Sequence, residues 1–169
     1  PKLVKYLDMP IQHSSDRILK KMNRQVTRSF LRDIIKKVRR KVPGIALRTS
    51  VMVGFPGETQ DDFEQLCEFV RESKFTHLGC FAYSQEEGTV AGRMADQIEA
   101  SIKEERLDRV MRIQQGISRV AMEQLKDKRV PVLVTHKGEN GQYIGRMISQ
   151  APEVDGAAYI QSASAQIGQ

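Results

Sequence analysis

Three short apolar segments alternate with amphipathic segments in the first half of the chain, and this alternation narrowly limits how the chain can fold. The apolar segments lie at residues 3–9, 45–53 and 77–83. They recur at intervals of roughly 30–40 residues, the spacing of β-α-β units whose strands run parallel. The sequence therefore predicts an α/β fold with a parallel sheet. The apolar run at residues 45–53 predicts a strand that is buried on both faces.

The segments between the predicted strands have the periodicity of helices. A short helix is expected after residues 14–16, and a longer one over residues 27–42, where apolar side chains recur every three or four positions. Similar patterns predict helices over residues 59–74 and 98–126.

A change of pattern near residue 127 predicts a second, smaller domain. Three short strand candidates follow it, at residues 130–134, 142–147 and 157–160. The first two flank residues 137–141, which contain the Asn-Gly pair that is typical of a hairpin turn. We therefore expect two domains, residues 1–126 and residues 127–169.

Composition excludes several classes of protein. The chain has 169 residues, of which 40% are hydrophobic and 28% are charged, so disordered, collagen-like and disulfide-rich proteins are excluded. It has no run of about 18 apolar residues, the length that a membrane-spanning helix requires. Its two cysteines, Cys67 and Cys80, lie among apolar neighbours, which predicts core packing. So few cysteines indicate a reducing, cytoplasmic compartment.

Charge is unevenly distributed along the chain. The net charge is +6 overall, but it is +11 over residues 1–50, −7 over residues 51–100 and +2 over residues 101–169. The densest basic run falls within the predicted helix 27–42 and comprises Arg32, Lys36, Lys37, Arg39, Arg40 and Lys41. Such a run indicates either a solvated helix face or a surface for nucleic acid.

The loop from Gly54 to Thr59 follows a predicted strand and begins a helix, the position at which α/β folds bind ligands. Its glycines permit a tight turn and a close approach of the backbone to a ligand. Thr59 and Asp62 resemble a capping box. Acidic residues at the start of the helix, Glu58 among them, would repel a phosphate. The segment is either a ligand-binding loop or an ordinary strand-to-helix turn.

Three further polar residues are candidates for a site. Gln12 and His13 follow the first predicted strand, in the position equivalent to the loop at Gly54. Arg48 is a cation within an apolar strand and needs a partner, either a carboxylate of the protein or an anionic part of a ligand.

Six motifs, in this order, resemble the methylthiotransferase branch of the radical S-adenosylmethionine (SAM) enzymes. They extend over nearly the whole chain. They are Tyr-Leu-Asp-Met-Pro-Ile-Gln-His at 6–13, Leu-Arg-Thr at 47–49, Val-Gly-Phe-Pro-Gly-Glu-Thr at 53–59, Tyr-Ser at 83–84 with Glu-Glu-Gly-Thr at 86–89, Lys-Glu-Glu-Arg at 103–106, and Ala-Pro-Glu-Val-Asp-Gly at 151–156.

Details of these motifs favour one branch of the family. The branch that modifies tRNA usually has Gln-Ser-Gly where this chain has Gln12-His13, and a basic or proline-containing loop where this chain has Glu86-Glu87. The motif at residues 151–156 is similar to the branch that methylthiolates an aspartyl residue of a small-subunit ribosomal protein. The resemblance implies that activity, and tRNA modification is the alternative within the family.

The resemblance also implies a fold and cofactors. Residues 1–126 would be the C-terminal half of a TIM-barrel-like radical SAM domain, with about three strand-helix units and a long helix, and residues 127–169 a partial TRAM domain. Family members use SAM and four-iron four-sulfur clusters. The Cys-x3-Cys-x2-Cys motif that holds the radical cluster has no counterpart here. We therefore expect this chain alone to be inactive.

For the site, the resemblance implies cofactor contacts and no catalytic or metal-ligating residue in this chain. The expected cofactor-binding residues are Gln12, His13, Arg48, Gly54, Phe81 and Tyr83. Arg48 would pair with the cofactor carboxylate, while Phe81 and Tyr83 would shape the adenine or substrate side.

The expected partners are a small-subunit ribosomal protein as substrate, and RNA or the ribosome at the TRAM-like end, without a membrane. The competing hypothesis is a fragment that binds nucleic acid or the ribosome and has no catalytic role.

Overall fold

The computed structural model describes residues 3–138 and 141–168 and confirms an α/β fold. The first sheet consists of β1 (Tyr6–Asp8), β2 (Ala46–Val53) and β3 (His77–Ala82), in the order β1-β2-β3 with parallel pairing. Its helices are α1 (Asp16–Lys21), α2 (Arg28–Lys41), α3 (Gln60–Ser73) and α4 (Ala100–Glu123). The predicted strand-helix alternation is thus confirmed.

A second sheet follows α4. It contains β4 (Val132–Lys137), β5 (Tyr143–Met147) and β6 (Ala158–Ile160), paired antiparallel in the order β4-β5-β6. The predicted pairing of the first two strands is confirmed, whereas Glu139 and Asn140 of the predicted turn lie outside the described residues. β4 begins later and ends later than predicted, because Pro131 has no N–H to donate and Lys137 still pairs with Tyr143.

The first sheet is covered by helices on one face. Alternate residues of β2, Leu47, Val51 and Val53, are buried in a core with side chains of α2, α3 and α4. Arg48, Ser50 and Met52 point to the opposite face and are only half-buried. The prediction of a strand buried on both faces was therefore wrong, because the helices that cover β2 share one side.

β1 is shorter than the apolar segment that predicted it. Only Tyr6–Asp8 pairs with β2, and Leu3 and Val4 are exposed. After Pro10, which lacks an N–H, the chain returns to β2 at a single residue, Gln12, which bridges to Val51. No helix in the described part of the chain is long and apolar enough to span a membrane.

Candidate functional site

Loops that follow the three parallel strands meet at the carboxyl edge of the first sheet. Gln12 is held there in a left-handed conformation, with φ of 66°. Its N–H donates to Ser50 O at 2.9 Å, and its carbonyl accepts from Met52 N at 2.7 Å. This conformation is unusual for a residue with a side chain and is maintained by the pairing with β2.

A cavity of about 460 Å³ opens beside Gln12. Its lining is largely apolar and includes three methionines and Phe55. Phe55 packs edge-on against Tyr83 with ring centroids 5.4 Å apart, and the buried Tyr83 hydroxyl has no hydrogen-bond partner among the described residues. A cavity with one aromatic and three methionine side chains in its walls suits a flat, weakly polar group such as a purine base.

The backbone amides of the loop after β2 are already used within the protein. Gly54 N donates to Glu58 Oε2 at 2.8 Å, Gly57 N to Asp96 O at 2.7 Å, and Glu58 N to Phe55 O at 2.9 Å. Gly54 and Gly57 have φ of 72° and 76°, which explains the glycines in this turn. With these three donors satisfied, the loop is not built as a phosphate cradle.

Residues at the starts of α1 and α3 hold the same loop in place. The predicted capping box between Thr59 and Asp62 is confirmed. Asp62 also accepts hydrogen bonds from Ser15 and Arg17, and Arg17 Nη2 donates to Gly57 O at 2.6 Å. Burial opposes ionisation of Asp62, but hydrogen bonds from Arg17, Ser15 and Thr59 outweigh it and hold the pKa of this carboxyl well below its usual range.

His13 is buried against the loop after β2 and does not line the cavity. Its side chain is 0% exposed, and Nδ1 accepts a hydrogen bond from Ser15 N at 2.9 Å. Nε2 therefore carries the proton of the neutral ring and lies 3.6 Å from Glu58 Oε2. This position makes His13 part of the support of the loop.

α4 holds the loops after β2 and β3 through two basic side chains. Arg106 is 7% exposed, and its Nη1 donates to Glu58 Oε1 at 2.9 Å and to Glu58 O at 3.2 Å. Lys103 Nζ donates to Tyr83 O at 3.0 Å and lies 5.2 Å from the Tyr83 ring centroid. A side chain at Gly54 would overlap Lys103 Cγ, so the glycine is also required by this contact.

Both basic residues belong to the Lys-Glu-Glu-Arg motif, which sequence reasoning quoted without assigning a role. Its i, i+3 spacing places Lys103 and Arg106 on one face of α4. This i, i+3 spacing was the sequence signal that could have identified the two residues.

Arg48 is engaged by carboxylates of the protein, one of the two alternatives left open by its sequence. Its Nη1 lies 2.6 Å from Asp8 Oδ2, and its Nε lies 3.6 Å from Asp155 Oδ1. Arg48 is near the amino end of β2, opposite Asp8 and His77, and so does not share the carboxyl edge with Gln12.

Asp155 lies between β5 and β6 of the second sheet and contacts residues of the first sheet. No role was predicted for it from the sequence. Its buried carboxylate accepts from Tyr6 Oη at 2.7 Å and lies 3.6 Å from His77 Nδ1, while His77 Nε2 lies 2.7 Å from Ser149 O. Burial, followed by the hydrogen bond to Asp155, raises the pKa of Tyr6. The motif at residues 151–156 was the signal for this contact.

The remaining predicted residues divide between buried and exposed positions. Tyr83 is buried behind Phe55, whereas Phe81 is 56% exposed and pairs in register with Met52 on the half-buried face. Gly54 begins the loop after β2. The structure thus brings Gln12, Gly54 and Tyr83 to the carboxyl edge and places Arg48 and Phe81 on the half-buried face.

The two cysteines pack in the core, as predicted. Cys67 is fully buried, and Cys80 packs against the same cluster. Burial raises the pKa of Cys80 to about 12, so it stays a neutral thiol. Across residues 3–138 and 141–168, no group of three histidine, cysteine or acidic residues is arranged to hold a metal ion.

Known proteins are similar to this chain in sequence and in fold. The radical SAM superfamily profile matches residues 2–70. The fold is similar to that of coproporphyrinogen III oxidase from Escherichia coli, a radical SAM enzyme, with a TM-score of 0.58 and 16% identity over 85% of this chain and 39% of that one. At this identity the likeness concerns the fold alone.

Sequence similarity to curated relatives extends over the whole chain. The chain is 50% identical over 171 residues to the ribosomal protein uS12 methylthiotransferase RimO of Anaeromyxobacter sp. (strain K), covering 100% of this chain and 36% of that relative. It is 45% identical over 170 residues to the protein of the same name from Geobacter sulfurreducens, covering 99% and 38%. The chain spans little more than a third of the length of these relatives. The resemblance found from the six motifs is thereby confirmed: over its whole length the chain is similar to part of the radical SAM methylthiotransferases of the ribosomal-protein branch.

Proposed function

We propose that this chain is part of a radical SAM methylthiotransferase that adds a methylthio group to an aspartyl residue of a small-subunit ribosomal protein. The observation that carries this proposal is 50% identity over the whole chain to a relative named for methylthiolation of the ribosomal protein uS12. A substrate of this kind and the small number of cysteines favour a cytoplasmic location.

In this proposal, β1 to β3 with their helices form the C-terminal half of a TIM-barrel-like domain, and β4 to β6 form part of a TRAM-like domain. In such a barrel the strands are parallel and the helices cover their outer face. Here too, helices cover one face of a parallel sheet. The half-buried opposite face, which carries Ser50 and Met52, would then be its inner surface. The proposed boundary near residue 126 falls between α4 and β4.

The cavity at the carboxyl edge is the proposed site for the adenine part of SAM. Its volume and its largely apolar walls fit that group. Gln12 and Phe55 would contact the base, Tyr83 would support Phe55 from behind, and Gly54 and His13 would act through the shape of the loop. SAM supplies radical chemistry when bound with a reduced iron–sulfur cluster. This chain's residues would bind and orient it and exclude water.

The half-buried face is the proposed substrate side. Phe81 offers it an exposed aromatic ring. Arg48 is already paired with Asp8, so a ligand carboxylate would compete with that ion pair. The residues that the structure describes do not fit an iron–sulfur cluster, whose ligands would come from outside them. This chain by itself is therefore proposed to be inactive.

A chimera tests the proposed function. The segment of the Anaeromyxobacter enzyme that aligns with this chain is replaced by residues 1–169, and the purified, cluster-loaded protein is incubated with uS12 or with tRNA. We expect methylthiolation of the uS12 aspartyl residue, detected by mass spectrometry. A chimera that folds and holds its clusters but modifies only tRNA supports the alternative within the family. A chimera that modifies neither substrate contradicts the proposal.

A further inference from the structure

The basic residues of α2 divide into two groups, one of which has no role within the described structure. α2 contains seven basic residues and one acidic residue, Asp33. Arg28 and Arg32 pair with Glu68 and Glu72 of α3 at 2.8 and 2.7 Å. Arg39 is half-buried, and its Nη2 donates to Lys74 O at 2.8 Å. These three cations are explained by packing between α2 and α3.

The other four cations, Lys36, Lys37, Arg40 and Lys41, are exposed. Within the described ranges, none of them has a carboxylate oxygen within 4.0 Å. Lys36 and Arg40 are four residues apart, as are Lys37 and Lys41, so each pair lies one above the other, about 6 Å apart along the helix axis. The four residues form a positively charged strip, which Asp33 only partly offsets.

The strip has features that suit a nucleic-acid strand. Its charges repeat along a convex surface at a spacing comparable with that of successive phosphates. Phe30 lies on the same side, two turns before Lys37, and is 54% exposed. An exposed aromatic ring beside cations can stack on an unpaired base. A nucleic-acid strand satisfies both features, because its backbone presents a regular row of negative charges and its unpaired bases can stack on Phe30.

The structure argues against a membrane surface as the partner. A helix that lies on a membrane buries its apolar face among the lipids. The apolar face of α2 is occupied, since Leu31 and Ile35 are buried in the core of the first sheet. Only the polar side of α2 is available.

We propose that this strip binds the sugar-phosphate backbone of RNA and that Phe30 stacks on one of its unpaired bases. The surface lies on the helical side of the first sheet, away from the half-buried face, so RNA can bind without covering the proposed substrate side. This inference does not depend on the proposed function, because RNA binding is measured on this chain without cofactor or cluster.

Fluorescence anisotropy with a labelled RNA stem-loop tests the proposal from about 50 to about 200 mM KCl. The chain is compared with K36Q/K37Q/R40Q/K41Q and with a control, R112Q/K126Q/K128Q/R129Q. The control removes the same charge from exposed positions on α4 and just after it. Glutamine preserves helix propensity, and circular dichroism verifies that both variants are folded.

We expect the slope of log affinity against log salt to be roughly −3 for the wild-type chain and close to zero for the α2 variant. At low salt, the α2 variant should bind about tenfold or more weakly, while the control should change little. Equal losses in both variants would show a general effect of net charge and overturn the proposal. Failure of the wild-type chain to bind RNA, or equal competition by polyglutamate, would also overturn it.

Discussion

Arg106 Nη1 and Glu58 Oε1 are 2.9 Å apart in a buried ion pair that connects α4 to the loop after β2. The other carboxylate oxygen of Glu58 accepts the Gly54 N–H at 2.8 Å. The Glu58 side chain therefore links α4 to Gly54, the first residue after β2. Because Phe55, which lines the cavity, directly follows Gly54, the pair helps to position one wall of the candidate site.

Replacing Glu58 with glutamine should destabilise the fold by about 3 kcal/mol, because Arg106 would keep a buried charge without its counter-ion. Urea denaturation of the purified chain measures the loss. Glu64→Gln is the matched control, since it breaks a pair with Arg109 in which both side chains are substantially exposed, and it should cost less than about 1 kcal/mol. Equal losses for the two variants would contradict a special role for the buried pair.

Gly54→Ala should lower the stability of the fold by more than the positive φ of residue 54 alone explains. Gly54 and Gly44 have φ of 72° and 77°, but a methyl group at Gly54 meets Lys103 whereas one at Gly44 meets nothing within 4 Å. We expect Gly44→Ala to lose about 1–2 kcal/mol and Gly54→Ala at least about 1 kcal/mol more. Thermal unfolding of both variants measures the difference.

Replacing Lys103 with alanine tests whether its side chain causes this additional loss of stability. In a Gly54→Ala/Lys103→Ala variant the clash is removed, so the two substitutions should be non-additive, with a coupling of about 1 kcal/mol in a double-mutant cycle. Additive losses would show that Lys103 does not limit the space at residue 54.

Asp62 should make the chain sensitive to acid. Its pKa is lowered in the folded state, so its ionised form stabilises the fold above about pH 4, the unfolded value, and this contribution disappears as the pH falls below that. Denaturant titrations between about pH 3 and pH 7 should therefore show a steeper loss for the wild type than for Asp62→Asn. Asp61→Asn, at an exposed neighbouring position, should leave the slope unchanged.

Local features of this fold were predictable, whereas contacts between distant segments were not. The capping box of Thr59 and Asp62 depends on residues three positions apart, and the sequence predicted it correctly. The partners of Arg48 come from β1 and from the segment before β6, so no pattern around Arg48 identifies them. Gln12 takes a positive φ because β2 pairs with it, and its own residue type gives no hint of this. The local capping box was thus predicted, whereas contacts that depend on packing between distant segments, including those of Lys103 and Arg106 with the loops, were missed.

Tyr6 provides a test of the contact between the two sheets at alkaline pH. Its pKa is raised because the phenol is partly buried and donates to Asp155, so the neutral phenol stabilises the folded state. That contribution is complete below about pH 10, the unfolded value, and is lost as the pH rises through the higher folded pKa. Denaturant titrations between about pH 8 and pH 11 should show a loss of stability that Tyr6→Phe reduces. Tyr159→Phe is the matched control, because Tyr159 is exposed on β6 and should not change the profile. If Tyr6→Phe left the alkaline loss intact, the hydrogen bond to Asp155 would not contribute to joining the sheets.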